Sequence, residues 1–219
     1  MVATAADYLT TIETLPPGSR LSFVGVSWDE YEQLLLDLDE RPALRVTYDH
    51  GRVEVMALTP EHERPSRRFS HLVQILTEEL DLDFLDFGSS TLRLRAIAGG
   101  LEPDSCVYIG EFDAVAHSKR LDLTVSPPPD LAVEIDITHD SLGKFHLYAG
   151  LGVAELWRYD GENVEFYRLV GDHYVEIADS DLFPFLPAAV LPDFLTLGSQ
   201  GVNAMRRAFR AWVRAQRRD

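Results

Sequence analysis

The stretch Asp130-Leu131-Ala132-Val133-Glu134-Ile135-Asp136-Ile137-Thr138 narrows the fold more than any other part of the chain. Successive side chains of a strand point to opposite faces. Here Leu131, Val133, Ile135 and Ile137 share one face, and Asp130, Ala132, Glu134, Asp136 and Thr138 share the other. The first face requires an apolar layer. The second is either solvated, which accounts for the pattern by itself, or gathers its carboxylates for chemistry. Two flanking features favour the latter. Glu102-Pro103-Asp104 opens the preceding strand, and a helix carrying Lys144 follows directly. If these strands are neighbours, Asp104, Glu134 and Asp136 converge. Carboxylates held together repel, and a hard divalent cation with oxygen ligands relieves that repulsion. Such an ion polarises a phosphate and lowers the pKa of a bound water, which is metal-assisted phosphodiester hydrolysis.

Patterns along the rest of the chain supply the frame. Residues 28–38 read as an amphipathic helix capped by Ser27, and 44–48 and 52–56 read as strands around the turn Asp49-His50-Gly51. Phe69, Leu72, Val73, Leu76 and Leu80 recur at helical spacing, with Pro65 assigned to the first turn of that helix. Strand-like runs follow over 84–94, 104–109 and 131–137, then a helix over 142–151 ended near Gly152, and a strand over 154–159. Residues 164–169 and 174–178 form a hairpin about Gly171 and Asp172, and one helix over 198–218 closes the chain. The order helix, three strands, helix, strand predicts a mixed α/β (α+β) domain with a mixed central sheet flanked by helices. Three parts are expected: an N-terminal extension over 1–24, a core over 25–197, and a basic C-terminal helix over 198–219 packed on the same domain.

Charge and motif absences exclude several functions. Lys and Arg number 20 and Asp and Glu 36, a net charge of −16. Backbone binding to nucleic acid by the body of the chain alone is therefore disfavoured. The chain contains no phosphate-binding glycine loop and no nucleophile elbow of the hydrolase type. His62-Glu63 begins like a zinc protease helix, but Ser66 stands where the second histidine would be. With Cys106 as the only cysteine, neither an internal disulfide nor a closed thiolate zinc site can form, and Cys106 reads as a small buried hydrophobe. Residues 1–20 lack a basic leader followed by an apolar core, and the stretch 182–192 is too short and too rich in proline to span a bilayer. A soluble cytoplasmic protein is expected.

Several segments together carry a family resemblance. They are Pro60-Glu61-His62-Glu63, Glu102-Pro103-Asp104, the strand from Asp130 with Glu134-Ile135-Asp136, Lys144, Tyr148-Ala149-Gly150-Leu151-Gly152-Val153 and Glu155-Leu156-Trp157-Arg158-Tyr159-Asp160. In this order and spacing the chain resembles the PD-(D/E)XK restriction endonuclease-like superfamily, and within it the Uma-two family of bacterial endonucleases. The resemblance implies a restriction endonuclease-like core, a DNA substrate and Mg²⁺ or Mn²⁺ bound by Asp104 and Glu134, with Asp136 assisting. It also implies that His62, ahead of the first long helix, belongs to the site, although a structural histidine fits its spacing equally well. The sequence departs from the superfamily at Asp136, where the motif has lysine. Lys144, in the first turn of the next helix, is the substitute ammonium, or else an ordinary solvated lysine.

Two further expectations concern partners. Residues 204–219 hold six arginines and one acid against a strongly acidic remainder, so the last helix either contacts phosphate or pairs with acids of this chain or of a second copy in a homodimer. The second choice is favoured, because charge runs are usually solvated or paired faces. Trp157 and Tyr159 read as core residues rather than base-stacking platforms. The alternative to an active endonuclease is a nuclease-fold module that binds nucleic acid or protein without turnover, for which the loss of lysine at position 136 is the motive.

Overall fold

A computed structural model of the chain describes residues 5–38, 44–110, 112–118, 121–137 and 141–216, without the side chains of 5–7, 60–63 and 142. The chain begins with α1 (Ala5–Glu13), β1 (Arg20–Val24), α2 (Trp28–Asp37), β2 (Leu44–Asp49) and β3 (Arg52–Ala57). Next come α3 (Pro60–Leu80), β4 (Phe84–Gly88), β5 (Leu92–Leu94), β6 (Gly99–Leu101), β7 (Ser105–Ile109) and β8 (Leu131–Ile135). A 3-10 turn over Leu142–Lys144 leads into α4 (Phe145–Leu151), and β9 (Glu155–Tyr159), β10 (Val164–Val170) and β11 (His173–Ile177) follow. The last two helices are α5 (Leu191–Gln200) and α6 (Val202–Gln216).

Two sheets result, ordered β1-β3-β2-β6-β5 and β11-β10-β9-β8-β7-β4. In the larger one β8 and β9 run parallel, with α4 as their crossover, while β7 joins β8 antiparallel. The expected mixed sheet is thus present. On one side of β8, Leu131, Val133 and Ile135 pack with Phe69, Leu72, Val73, Ile75 and Leu76 of α3, and with Met205, Phe209 and Val213 of α6. On the other side Ala132 packs with Leu147, Tyr148 and Leu151 of α4. Each such large apolar side chain, fully buried, contributes about 1.5–3 kcal/mol. Because helices cover both faces, β8 is buried along its whole length. Its acidic face is not solvated.

Local chemistry explains the element ends. Ser27 Oγ accepts the Glu30 amide (3.3 Å) and Glu30 Oε2 accepts the Ser27 amide (2.7 Å), a closed capping box that starts α2 where the sequence indicates. Gly152 ends α4 in the left-handed region at φ +82°, a conformation open to glycine because it has no Cβ.

Four expectations are corrected. The run 84–94 is two strands in different sheets. Asp86 accepts the Gly88 amide (2.8 Å), Gly88 takes φ +55°, and the register slips there, so the chain leaves β7 and re-enters beside β6. The helix with the Phe69 stripe starts at Pro60, so Pro65 lies inside it and not in its first turn. The price is one backbone donor that would have reached the Glu61 carbonyl, near an end where bonds are already incomplete. The closing helix is broken at Gly201 into α5 and α6. The two pack so closely that a Cβ on Gly198 would stand 2.6 Å from Met205 Sδ. Strand β8 ends at Ile135, and Ile137 is partly exposed.

Candidate active site

The carboxyl end of β8 and the start of β7 meet between the two sheets. Asp104 precedes β7, and its amide donates to the Val133 carbonyl (3.1 Å). Ser66 of α3 donates its hydroxyl to the Asp104 carbonyl (2.8 Å), fixing the segment from behind. The pocket formed there is lined by Arg20, Arg45 and Glu102 from the smaller sheet, and by Asp104, Glu134, Asp136, Ser141 and Lys144 from the larger one. Asp104, Glu134, Asp136 and Lys144 are thus brought together. His62 is in the first turn of α3, and its side chain lies outside the described residues.

Three carboxylates in this pocket have different surroundings. Asp104 accepts the Ile135 amide on Oδ2 (2.8 Å), and its Oδ1 is 4.0 Å from Arg45 Nε. Burial pushes its carboxyl up to about 6, against the opposing pull of Arg45. Glu134 accepts the hydroxyl of Tyr148 on Oε1, and Lys144 Nζ is 3.9 Å from the same oxygen. Burial pushes Glu134 up to about 7; Lys144 opposes the shift and Asp104 adds to it. Glu102 accepts from Thr91 Oγ1 (2.8 Å) and the Val46 amide (3.0 Å), and burial raises it as well.

Asp136 is engaged differently. Its Oδ2 accepts the Arg158 Nε–H (2.5 Å), the Ser141 amide (2.9 Å) and the Ser141 hydroxyl (2.9 Å). Arg158 in turn donates to Glu165 (2.7 Å). The Ser141 carbonyl accepts the Lys144 amide (2.7 Å), so Asp136 holds the turn from which Lys144 projects. The lysine absent from position 136 is replaced by an acid that fixes the backbone under another lysine. Lys144 itself is largely enclosed rather than solvated, at 19% side-chain exposure.

Among the described residues, no cluster of three or more His, Cys, Asp or Glu forms a ready-made metal cage. Two carboxylates plus water and substrate oxygens are, however, what Mg²⁺ commonly takes. Asp104 and Glu134 fit that description, being hard oxygen donors buried side by side, with Arg45 4.0 Å from the first and Lys144 3.9 Å from the second. Arg45, Tyr148, Ser141 and Arg158 are supporting residues that the sequence reading did not single out. Tyr148 had a signal, since it lies four residues after Lys144, about one helical turn. Arg45 had a weaker one, an arginine in a strand otherwise rich in buried residues. The partners of Ser141 and Arg158 depend on tertiary contacts and left none.

Other expectations fall away from the pocket. Cys106 is fully buried among apolar neighbours, and Trp157 and Tyr159 belong to the core. Arg210 pairs with Glu78, and Arg214 makes a two-pronged contact with Glu79 (2.8 and 2.9 Å), so α6 directs these arginines at acids of α3. No described helix is long and apolar enough to cross a membrane.

The larger sheet is mixed and flanked by helices, with Asp104 and Glu134 where the ends of β7 and β8 meet. The Uma2 family model, described as "Putative restriction endonuclease", matches residues 28–198, and the chain belongs to this family. No curated protein matches the chain. Among solved structures it is similar to one from Anabaena variabilis ATCC 29413, titled "a putative nuclease belonging to DUF820". That match has 16% identity and a TM-score of 0.48, covering 88% of this chain and 99% of the other.

Proposed function

We propose that this protein is a metal-dependent endonuclease that hydrolyses DNA phosphodiester bonds in the pocket between its two sheets. The observation that carries this reading is the co-burial of Asp104 and Glu134, each pushed toward neutral pH, beside the ammonium of Lys144. Burying two acids together is costly unless opposite charge compensates. Mg²⁺ or Mn²⁺ bound by Asp104 and Glu134 would supply that charge, polarise the phosphoryl group and make a bound water more acidic.

The remaining work falls to the chain. The Ile135 amide fixes Asp104, and Tyr148 fixes Glu134, so the two carboxylates are oriented before substrate arrives. Lys144 orients the attacking water and stabilises charge developing on the phosphoryl oxygens. Asp136 acts as a positioning residue, holding the Ser141 turn beneath Lys144.

The test is incubation of the purified protein with supercoiled, linear duplex and single-stranded DNA in Mg²⁺ or Mn²⁺. Cleavage is expected, and its loss in Asp104→Ala and Glu134→Ala. Cutting that persists unchanged in Glu134→Ala removes the assignment. DNA binding without cleavage in either metal identifies a non-catalytic module instead.

A further inference from the structure

A second concavity, of about 260 Å³, adjoins the acidic pocket and shares Arg20 and Lys144 with it. The β2–β3 hairpin forms one side, contributing Asp49, Arg52 and Glu54, and the turn into α4 forms the other, contributing Lys144 and His146. Its charged lining is Arg20, Arg52 and Lys144 against Asp49 and Glu54, a slight local excess of positive charge. Arg20, Arg52, Lys144 and His146 can all present cationic or N–H donor groups, in a chain whose net charge is −16.

The two carboxylates of this cleft already have donors. Glu54 accepts from Arg20 (3.1 Å). Asp49 accepts from His50 on Oδ1 (2.7 Å) and from His146 on Oδ2 (3.1 Å). The second contact ties the hairpin to α4 across the mouth of the cleft and sets the plane of the His146 ring. Arg52 is exposed, and a long hydrogen bond to Ser22 Oγ (3.4 Å) holds it only weakly. Gly143 in the wall has open space where a side chain would stand, so the cleft is accessible beside Lys144.

We propose that this cleft seats the nucleic-acid phosphate next to the one in the acidic pocket. Arg52 grips that phosphate beside His146, whose Nε2 is already bonded to Asp49, and Lys144 stands between the two positions. The inference rests on the endonuclease reading for its substrate, and it gives an acidic protein a surface on which to receive an anionic strand. A row of donors leading into a carboxylate pocket suits a polyanion that passes from one to the other.

The experiment measures binding separately from chemistry. Anisotropy of a labelled DNA oligonucleotide is followed on the Glu134→Ala background, where no turnover occurs, over a series of salt concentrations. Arg52→Glu should weaken binding about tenfold or more and flatten the slope of log affinity against log salt by about one contact. His146→Ala should weaken binding less. Arg168→Glu, a change of equal charge on β10 outside the cleft, should leave affinity near its starting value. Arg52→Gln, which avoids introducing an acid, should retain the melting temperature and, in the otherwise unaltered enzyme, raise KM with kcat little changed. Equal affinity in Arg52→Glu and its background overturns the proposal, as does an equal loss in Arg168→Glu or the absence of DNA binding altogether. If binding depends on Arg52 but no metal supports cleavage, the cleft stands and the endonuclease reading fails. If cleavage depends on Glu134 and is indifferent to Arg52, the reverse holds.

Discussion

Lys144 reaches Glu134 from the turn that follows the strand bearing Glu134. Its Nζ stands 3.9 Å from Oε1, the oxygen that also takes the Tyr148 hydroxyl. An ammonium delivered one element later than the motif position therefore arrives beside the same carboxylate.

Lys144→Met keeps the length of the side chain and removes its charge. Loss of one positioned donor to developing charge typically costs about 10²–10³ in rate. We expect kcat to fall at least about 100-fold, while the rise in melting temperature on adding Mn²⁺ is retained. An unchanged kcat would remove Lys144 from the chemistry.

The raised acids set a pH dependence. Asp104 stands at about 6 against an ordinary 3.8, and Glu134 at about 7 against 4.5. Between each pair of values the folded chain binds more protons than the unfolded one, so unfolding free energy falls as pH rises. Their contribution to the metal-free protein declines from near pH 4 to pH 7 and then levels off. Mn²⁺ competes with protons for these oxygens, so it should raise the melting temperature more at about pH 8 than at about pH 5. Equal shifts at both pH values, or an undiminished shift in Asp104→Asn/Glu134→Gln, would contradict this.

Asp136→Ala separates a positioning role from a ligand role. The substitution takes a carboxylate partner from the half-buried Arg158 and frees the Ser141 turn. Stability should fall by about 3 kcal/mol, and kcat should fall as Lys144 loses its support. Calorimetric titration should find Mn²⁺ affinity retained. A collapse of metal affinity would make Asp136 a ligand.

Glu155 accepts Trp157 Nε1–H (2.6 Å), Ser180 Oγ–H (2.6 Å) and the amides of Asp181 (2.9 Å) and Leu182 (3.1 Å). Glu155→Ala strands several buried donors at once. It should cost at least about 3 kcal/mol, read as a lower denaturation midpoint with cleavage per folded molecule preserved. A midpoint near that of the unaltered protein would mean the network contributes little.

Arg210→Gln/Arg214→Gln tests the last helix. Both ion pairs are partly solvated, and such pairs are worth less than about 1 kcal/mol each. Stability should fall slightly and DNA affinity should hold. A tenfold loss of affinity would return α6 to the substrate surface.

The legible parts were those governed by local periodicity. The β8 alternation and the stripe of α3 each encode a face, and Asp104 and Glu134 could be matched by register once their strands were adjacent. The breaks at Gly88 and Gly201 were harder, because a turn inside an apolar run is decided by which sheet or helix the next segment finds. Asp136 was the subtlest case. Its residue type suggested a ligand, but its hydrogen bonds come from Arg158, 22 residues later, and from Ser141 across a turn. No spacing rule reports such a partner. Arg210 and Arg214 of α6 meet Glu78 and Glu79 of α3, as a charge run on a surface helix commonly does, while Arg217 and Arg218 lie outside the described residues.

The pocket straddles a seam. Asp104, Glu134 and Lys144 belong to the six-stranded sheet and its crossover, whereas Arg20 and Arg52 belong to the hairpin layer in front of it. On the proposed function, bond breaking falls to the larger sheet and its crossover, while Arg52 brings the hairpin layer to the strand opposite His146 of α4. Exchanging the hairpin layer would change which nucleic acid is admitted and leave the reactive groups where they are. A lineage built on this plan can diversify its targets without reinventing its chemistry.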